Sequence, residues 1–380
     1  MTRQSPVLLD VLSEIPDFRQ SQGRRHPLQA VLALAVCAML CGYRSYGAIA
    51  EWGRNYGDDL IAALGFTRHQ TPCAATLNTI FRQLDRREVE SKLGQWAHSV
   101  FASAAESSDD LQAIAIDGKT LRGSRRQGAP GAHLLSALGH RLGLTLCQHA
   151  VEDKTNEIRA VHQVLSGLML AGRVVTVDAL LTQREVAQTV MDRGGDYVMV
   201  VKGNQATLQA DIQLFFEDQK PLTESSDCVE SLEVGHGRIE QRRLRASTAL
   251  CGYSDWPGLQ QVFEITRSIT RKKTGEHRRE VVYGITSLRP AQADAERLLE
   301  LSRHHWHIEN KSHWVRDVTF DEDRSQVRSG NIPQVMAALR NTAIGLMRWA
   351  GETNIAAGCR RYAAQPWSAL ALIGITQKTE

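Results

Sequence analysis

Two short apolar runs, each closed by an aspartate, constrain this chain more than any other feature. Residues 111–116 (LQAIAI) lead into Asp117-Gly118, and residues 173–177 (RVVTV) lead into Asp178. Short apolar runs bounded by turn signals, the second rich in β-branched Val and Thr, read as buried strands. In α/β sheets ligands collect outside the carboxyl ends of strands, so both carboxylates are expected to face one crevice. Each aspartate also has a plainer reading, as the cap of the turn or helix that follows it. The matching placement of the two is what favours chemistry over local capping.

Around these runs the texture alternates. Residues 133–138, 142–150 and 197–201 read as further strands, and residues 156–171, 183–193 and 205–219 as helices. That alternation predicts an α/β core. Residues 220–288 lose the helical period and carry β-like stretches at 261–268 and 280–287, which reads as a β-rich insertion. Helical periodicity returns after Pro290, clearest at 291–313 and 331–350. Ahead of the core, residues 1–105 read as a helical domain. There an Ala/Leu/Val-rich run over 28–40 is broken at Arg44-Ser45-Tyr46, and 46–52 and 89–101 show three- and four-residue apolar spacing. The small polar stretch 103–110 suits a linker.

A length of 380 residues with 42% hydrophobic content suffices for two or three cores. The net charge of +3 does not by itself call for a polyanion. Its distribution is more suggestive: residues 267–348 hold 15 Lys/Arg against 10 Asp/Glu, and Lys119, Arg122, Arg125 and Arg126 crowd behind Asp117. Solvated surface explains most such runs, and a nucleic-acid partner is the sharper alternative. The seven cysteines are scattered and form no Cys-x-x-Cys pair, so a reducing, cytoplasmic setting is expected. Cys37 and Cys41, one turn apart in an apolar run, read as buried thiols. The longest apolar run, 30–41, is about half the ~20 residues that span a bilayer, and no signal-peptide core is visible, so no membrane segment is expected.

A third acid is harder to find. Residues 303–314 (RHHWHIENKSHW) are dense in polar and aromatic side chains, and on a helix His305, Glu309 and His313 form one stripe. The stripe permits an amphipathic helix with Trp306 and Trp314 in the core, a zinc site of two histidines and a carboxylate, or one carboxylate for a hard cation. Asp317, Asp321, Glu322 and Asp323 follow, so spacing leaves Glu309 one acid among several.

At these residues the chain resembles the H-repeat-associated group of insertion-sequence DDE transposases. The matching blocks are IPDFRQSQGRRHPL from Ile15, AIDGKTLRGS around Asp117, KTNEI from Lys154 and VVTVDALLTQREVA around Asp178. They continue with GGDYVMVVKGNQ from Gly194, GHGRIEQRR from Gly235 and HHWHIENKSHWVRDVTFDED around Glu309. The resemblance implies a ribonuclease H-like mixed sheet flanked by helices over 110–375, interrupted by the insertion at about 206–288. Residues 1–105 would then be a helical domain for binding DNA ends, where Arg19, Arg24, Arg25 and His26 form a small basic cluster. It further implies Asp117, Asp178 and Glu309 as catalytic metal ligands for Mg²⁺ or Mn²⁺. The implied substrate is double-stranded DNA, both the element's terminal repeats and the target, handled by a homo-oligomer in the cytoplasm or on the nucleoid.

The chain departs from the wider group at one motif. Where Tyr-x2-Arg-x3-Glu-x6-Lys is common, it reads Ser302, His305, Glu309 and Arg316. Candidate DNA contacts are Lys119, Arg122 and Arg125 near the first aspartate, and Lys202 and Asn204 behind the 197–201 strand. His236 and Arg238 in the Gly235 loop, and Arg303, Lys311 and Arg316 around Glu309, complete the set. Each has solvated charge or turn closure as its plain alternative. Two other classes stay open: a catalytically inactive DNA-binding descendant, and a zinc-dependent hydrolase built on the histidine stripe.

Overall fold

The computed structural model describes residues 7–105, 112–126, 128, 130–151, 157–218, 226–235 and 237–377. Helices α1 (Leu8–Ser13), α2 (Leu28–Leu40), α3 (Tyr46–Asn55), α4 (Asp58–Ala63), α5 (Ala74–Gln83) and α6 (Arg86–Ala105) come first. Strands β1 (Gln112–Thr120), β2 (His133–Gly139) and β3 (Leu144–Val151) follow. Next are α7 (Glu157–Ser166), β4 (Arg173–Val177), α8 (Arg184–Asp192), β5 (Asp196–Val201) and α9 (Ala206–Asp218). Four strands then run in succession, β6 (Ser226–Gly235), β7 (Arg238–Ser247), β8 (Gln261–Arg271) and β9 (His277–Thr286). The chain ends in α10 (Ala295–His305), a π-helical turn over Ile308–His313, α11 (Trp314–Val318), α12 (Ile332–Trp349), α13 (Ile355–Ala364) and α14 (Pro366–Leu372).

The strands form one nine-stranded sheet in the order β3-β2-β1-β4-β5-β9-β8-β7-β6. β1, β4 and β5 are parallel, whereas β2–β3 and the run from β5 through β9, β8, β7 to β6 are antiparallel. This is the expected mixed sheet flanked by helices, with a helical region ahead of it. The β-rich stretch is stitched onto the same sheet, because β9 pairs with β5 from Val198↔Thr286 to Val201↔Tyr283. Its first residues, 206–218, are helical. Gly284 is fixed by close approach: a Cβ there would meet the Phe263 ring at 2.1 Å, so no other residue lets that ring lie over the neighbouring strand.

By contacts the chain divides into two compact units. One comprises Met1–Asp110, Gly118–Asn156 and His307–Glu380, and the other Leu111–Asp117 and Glu157–Trp306. In the first, α2 is apolar all round and buried along nearly its whole length, which is how a helix without a polar face must sit. It packs among α1, α3, α12, α13 and α14. The break after it is a helix start: the Ser45 hydroxyl accepts the Ala48 N–H and caps α3. Cys37 and Cys41 are buried thiols as expected, with Cys41 raised to about 12 by burial. α6 runs through Ser103 to Ala105, so the polar stretch expected as a linker begins inside a helix, and residues 106–110 lie outside the described residues.

In the second unit the core forms between the sheet and α10. Leu298, Leu299 and Leu301 pack with Val174 of β4, Val198 of β5, Leu244 of β7 and Phe263 of β8. At roughly 25 cal/mol per Å² of apolar surface, such fully buried side chains each contribute ~1.5–3 kcal/mol before entropy is counted. Among the described residues, no helix is long and apolar enough to cross a membrane.

Candidate active site

Parallel pairing sets the first two acids side by side. β1 and β4 run in register through Ile116↔Val177, so Asp117 and Asp178 are the next residues on neighbouring strands. Strands at this pairing lie ~4.8 Å apart. The expected turn at Asp117-Gly118 is not there. β1 continues to Thr120, beyond the end of β4, and β2 lies on its other side. The Leu121 N–H bonds the Ala132 carbonyl and keeps that side paired. Asp117 therefore lies within β1 rather than in a turn at its end.

Asp178 ends β4 and does cap the turn that follows, its Oδ1 accepting the Leu181 N–H at 3.2 Å. Burial raises its pKa above the usual carboxylate value; the nearby Glu157 carboxylate adds to this, while the Leu181 and Leu180 N–H groups and Lys202 oppose it. The loop behind it is clasped. Asn204 Nδ2 donates to the Ala179 carbonyl at 2.6 Å, and Gln205 Nε2 to the Thr182 carbonyl at 3.1 Å. The Thr182 hydroxyl itself reaches the Asp178 and Val200 carbonyls. Asn204, expected as a candidate DNA contact, thus closes this loop. Lys202 is exposed. Glu157 was not singled out from the sequence. It opens α7 with its side chain buried, and only its place in the KTNEI block pointed toward it.

The third acid sits on a distorted turn. α10 stops at His305 with Trp306 as its C-cap, and Ile308–His313 follows as a π-helix. The wider turn brings His313 Nδ1 to 3.0 Å from Glu309 Oε2, with Glu309 half-exposed and the His313 ring buried. The hydrogen bond from His313 lowers the Glu309 pKa, burial opposes it, and the charges of His313 and Lys119 lower it further. Glu309 and His313 thus offer one oxygen and one nitrogen to a cation.

The expected His305/Glu309/His313 stripe does not form, because the helix breaks after His305. The His305 ring bonds the Thr176 hydroxyl on β4 at 3.0 Å, and burial drives its pKa down to about 4. It is a neutral core histidine, so the two-histidine zinc site read from spacing lacks one ligand. Trp306 and Trp314, expected in the core under the plainest reading, are instead 65% and 55% exposed.

Several expected DNA contacts have protein partners. Arg316 is corrected outright: it is fully buried, its guanidinium 2.7 Å from Glu322, which also holds Arg340 at 2.7 Å. A side chain sealed in that triad cannot meet a phosphate. Lys119 is buried too, with its Nζ 2.5 Å from Asp317. Burial raises the Asp317 pKa and Lys119 pulls it back. Lys311 donates to the His140 carbonyl at 2.9 Å, and burial, helped by Arg348, lowers its pKa to about 8. Arg303 is ion-paired with Glu233. Arg238 is exposed with its Nε 3.2 Å from Glu240, and Arg122 and Arg125 are exposed. His236 lies outside the described residues.

Comparison with known proteins gives the class. Residues 9–97 match the family described as DDE_Tnp_1-associated, and residues 108–346 match the transposase DDE domain. The chain belongs to the DDE transposase family. It is 32% identical over 372 residues to the "H repeat-associated putative transposase YhhI" of Escherichia coli (strain K12), covering 93% of each chain. It is likewise 32% identical over 362 residues to the "Putative transposase YncI" of Escherichia coli O157:H7, covering 90% of this chain and 87% of that one. A solved structure of the piggyBac transposase synaptic complex with hairpin DNA aligns over 98% of this chain and 82% of its own, with a TM-score of 0.43 and 10% identity.

Proposed function

We propose that this transposase cuts the ends of an insertion sequence and joins them to target DNA, with Asp117, Asp178 and Glu309 holding divalent cations at the scissile phosphate. The observation that carries this reading is the register of β1 and β4, which gives two carboxylates matching positions at neighbouring parallel strands. Chain geometry supports the third acid. Asp117 and Lys119 are two residues apart on one strand, hence on one face and ~6.7 Å apart. Lys119 pairs with Asp317, two helical turns beyond Glu309, and its charge is among those lowering the Glu309 pKa.

The donors fit a hard cation. Three carboxylates supply oxygen ligands of the kind Mg²⁺ and Mn²⁺ take, and one adjacent imidazole is tolerated by Mn²⁺. When bound, such ions lower the pKa of the attacking water or 3′-hydroxyl and neutralise charge on the departing oxygen.

The chain's own residues prepare that site. The N–H of Leu181 orients the Asp178 carboxylate, and Asn204 and Gln205 hold the loop that presents it. His313 keeps Glu309 ionised by donating to it. Lys119, paired with Asp317, is among the charges that lower the Glu309 pKa. Of the DNA contacts expected from the sequence, the exposed Arg122, Arg125, Lys202 and Arg238 are the basic side chains that fit the DNA backbone. Residues 1–105 would recognise the element's ends, and assembly on two ends would require more than one copy.

The test incubates purified protein with duplex DNA carrying the element's own termini and Mg²⁺, and maps the breaks. Cuts at the element boundary, leaving 3′-hydroxyls, are expected. Absence of cleavage with Mg²⁺ and with Mn²⁺ would replace this reading by that of an inactive DNA-binding descendant.

A further inference from the structure

Beside Glu309, on the same unit, lies a groove of about 660 Å³ that the chemistry above does not use. That volume falls in the ~300–1,000 Å³ range of sites for small ligands. Asn310, the residue after Glu309, lines it together with Trp314, Arg44, Arg348, Cys359 and Arg360, and none of its described lining residues is acidic.

Several guanidinium groups of the protein are matched to carboxylates, as Arg316 and Arg340 are to Glu322, Arg245 to Glu264 and Arg361 to Glu352. Arg44 and Arg360 are exposed and have no ion-pair partner among the described residues. Both act on the same spot: burial raises the Cys359 thiol to about 11, and the charges of Arg44 and Arg360 pull it down. Arg348, half-buried, spends one Nη on the Lys311 carbonyl. Three cations along a cavity with no acidic lining residue suit an anionic occupant, which each can meet with charge-assisted hydrogen bonds.

The second observation is aromatic. Trp314, on the helix that follows the π-turn, is 55% exposed although it lines this concave wall. A large planar face beside guanidinium groups suits a ligand that is both flat and anionic. Unpaired nucleotides have that chemistry, the base stacking on the indole and the phosphates pairing with arginine. We infer that this groove binds a stretch of unpaired DNA strand leading away from the site at Glu309, with Trp314 stacking a base and Arg44 and Arg360 contacting phosphates. The inference rests on the transposase reading for its DNA, and concerns a surface outside the three acids.

The experiment uses the full chain and a short fluorescein-labelled single-stranded oligonucleotide, with binding followed by anisotropy across a salt series. Wild type should bind it. The double variant Arg44→Gln/Arg360→Gln should bind at least about tenfold more weakly, with the log–log salt slope reduced by about 1.4, or ~0.7 for each phosphate lost. Trp314→Ala should weaken binding at least about fivefold and leave the slope unchanged, as loss of stacking alone does. These side chains are exposed, so circular dichroism should match wild type. Unchanged affinity and slope in the double variant would overturn the inference, as would no binding by wild type. Pyrophosphate competing as well as an unlabelled oligonucleotide would reduce the groove to a simple anion site and overturn the nucleotide assignment. Cleavage of duplex ends by wild type is read separately, so intact cleavage with an unaffected groove variant removes the groove alone.

Discussion

Asp178 caps a local turn and is also one of the three metal ligands of the proposed function. It caps the turn after β4 with one oxygen while burial, helped by Glu157, raises its pKa. Its loop is fixed from behind by the Asn204 amide. Asn204→Ala should therefore lower the single-turnover cleavage rate about 10–100-fold, as loss of a group supporting a metal ligand does, with DNA affinity unchanged. An unaltered rate would make the clasp purely structural. His305 offers a second test. Its folded pKa of about 4 lies below its ordinary 6.5, so the unfolded chain takes up a proton that the fold refuses. The stability this histidine contributes is present above pH 6.5 and lost as the pH falls toward 4, by at most about 3 kcal/mol. His305→Gln should give a shallower fall of the urea midpoint over that window, and an equally steep one would count against the assignment.

At the scale of elements, the turn that carries Glu309 departs from regular α-helix. A straight helix over 291–313 would have aligned His305, Glu309 and His313. The chain instead breaks at Trp306 and resumes as a π-helix, because His305 is anchored to Thr176 on β4 while Ile308 and His313 are buried beyond the break. Just past it, Arg316, Glu322 and Arg340 form a buried triad that ties α11 to α12. Removing the shared acid leaves two buried cations unmatched. Glu322→Gln should cost about 3–5 kcal/mol in denaturant unfolding, whereas Arg316→Met with Glu322 retained should cost less, because Arg340 still answers the acid. Equal and small losses in both would mean that water reaches the triad.

For the whole molecule, much was legible in the sequence and the remainder has identifiable causes. β4, β5, α8, α9 and α12 follow from apolar period and β-branched content, which local sequence encodes. The position of Asp117 within a strand was not readable, since Asp-Gly is a turn signal and only pairing with β2 carries β1 onward. The sheet-extending role of β6 to β9 was likewise hidden, because it depends on β9 returning to β5. Charge was the poorest guide. Lys119, Arg303 and Arg316 lie close in sequence to the acids, yet their partners Asp317, Glu233 and Glu322 are supplied by the fold.

The central claim is that Asp117, Asp178 and Glu309 act as one set of metal ligands for DNA strand cleavage. Its most direct test is the single-turnover cleavage rate, on the element's own ends with Mg²⁺, of Asp117→Asn, Asp178→Asn and Glu309→Gln. Each should lose about 10³-fold or more, equivalent to ~4 kcal/mol of transition-state stabilisation, while circular dichroism and DNA affinity match wild type. Wild-type cleavage in any one of the three would remove that residue from the set and contradict the account.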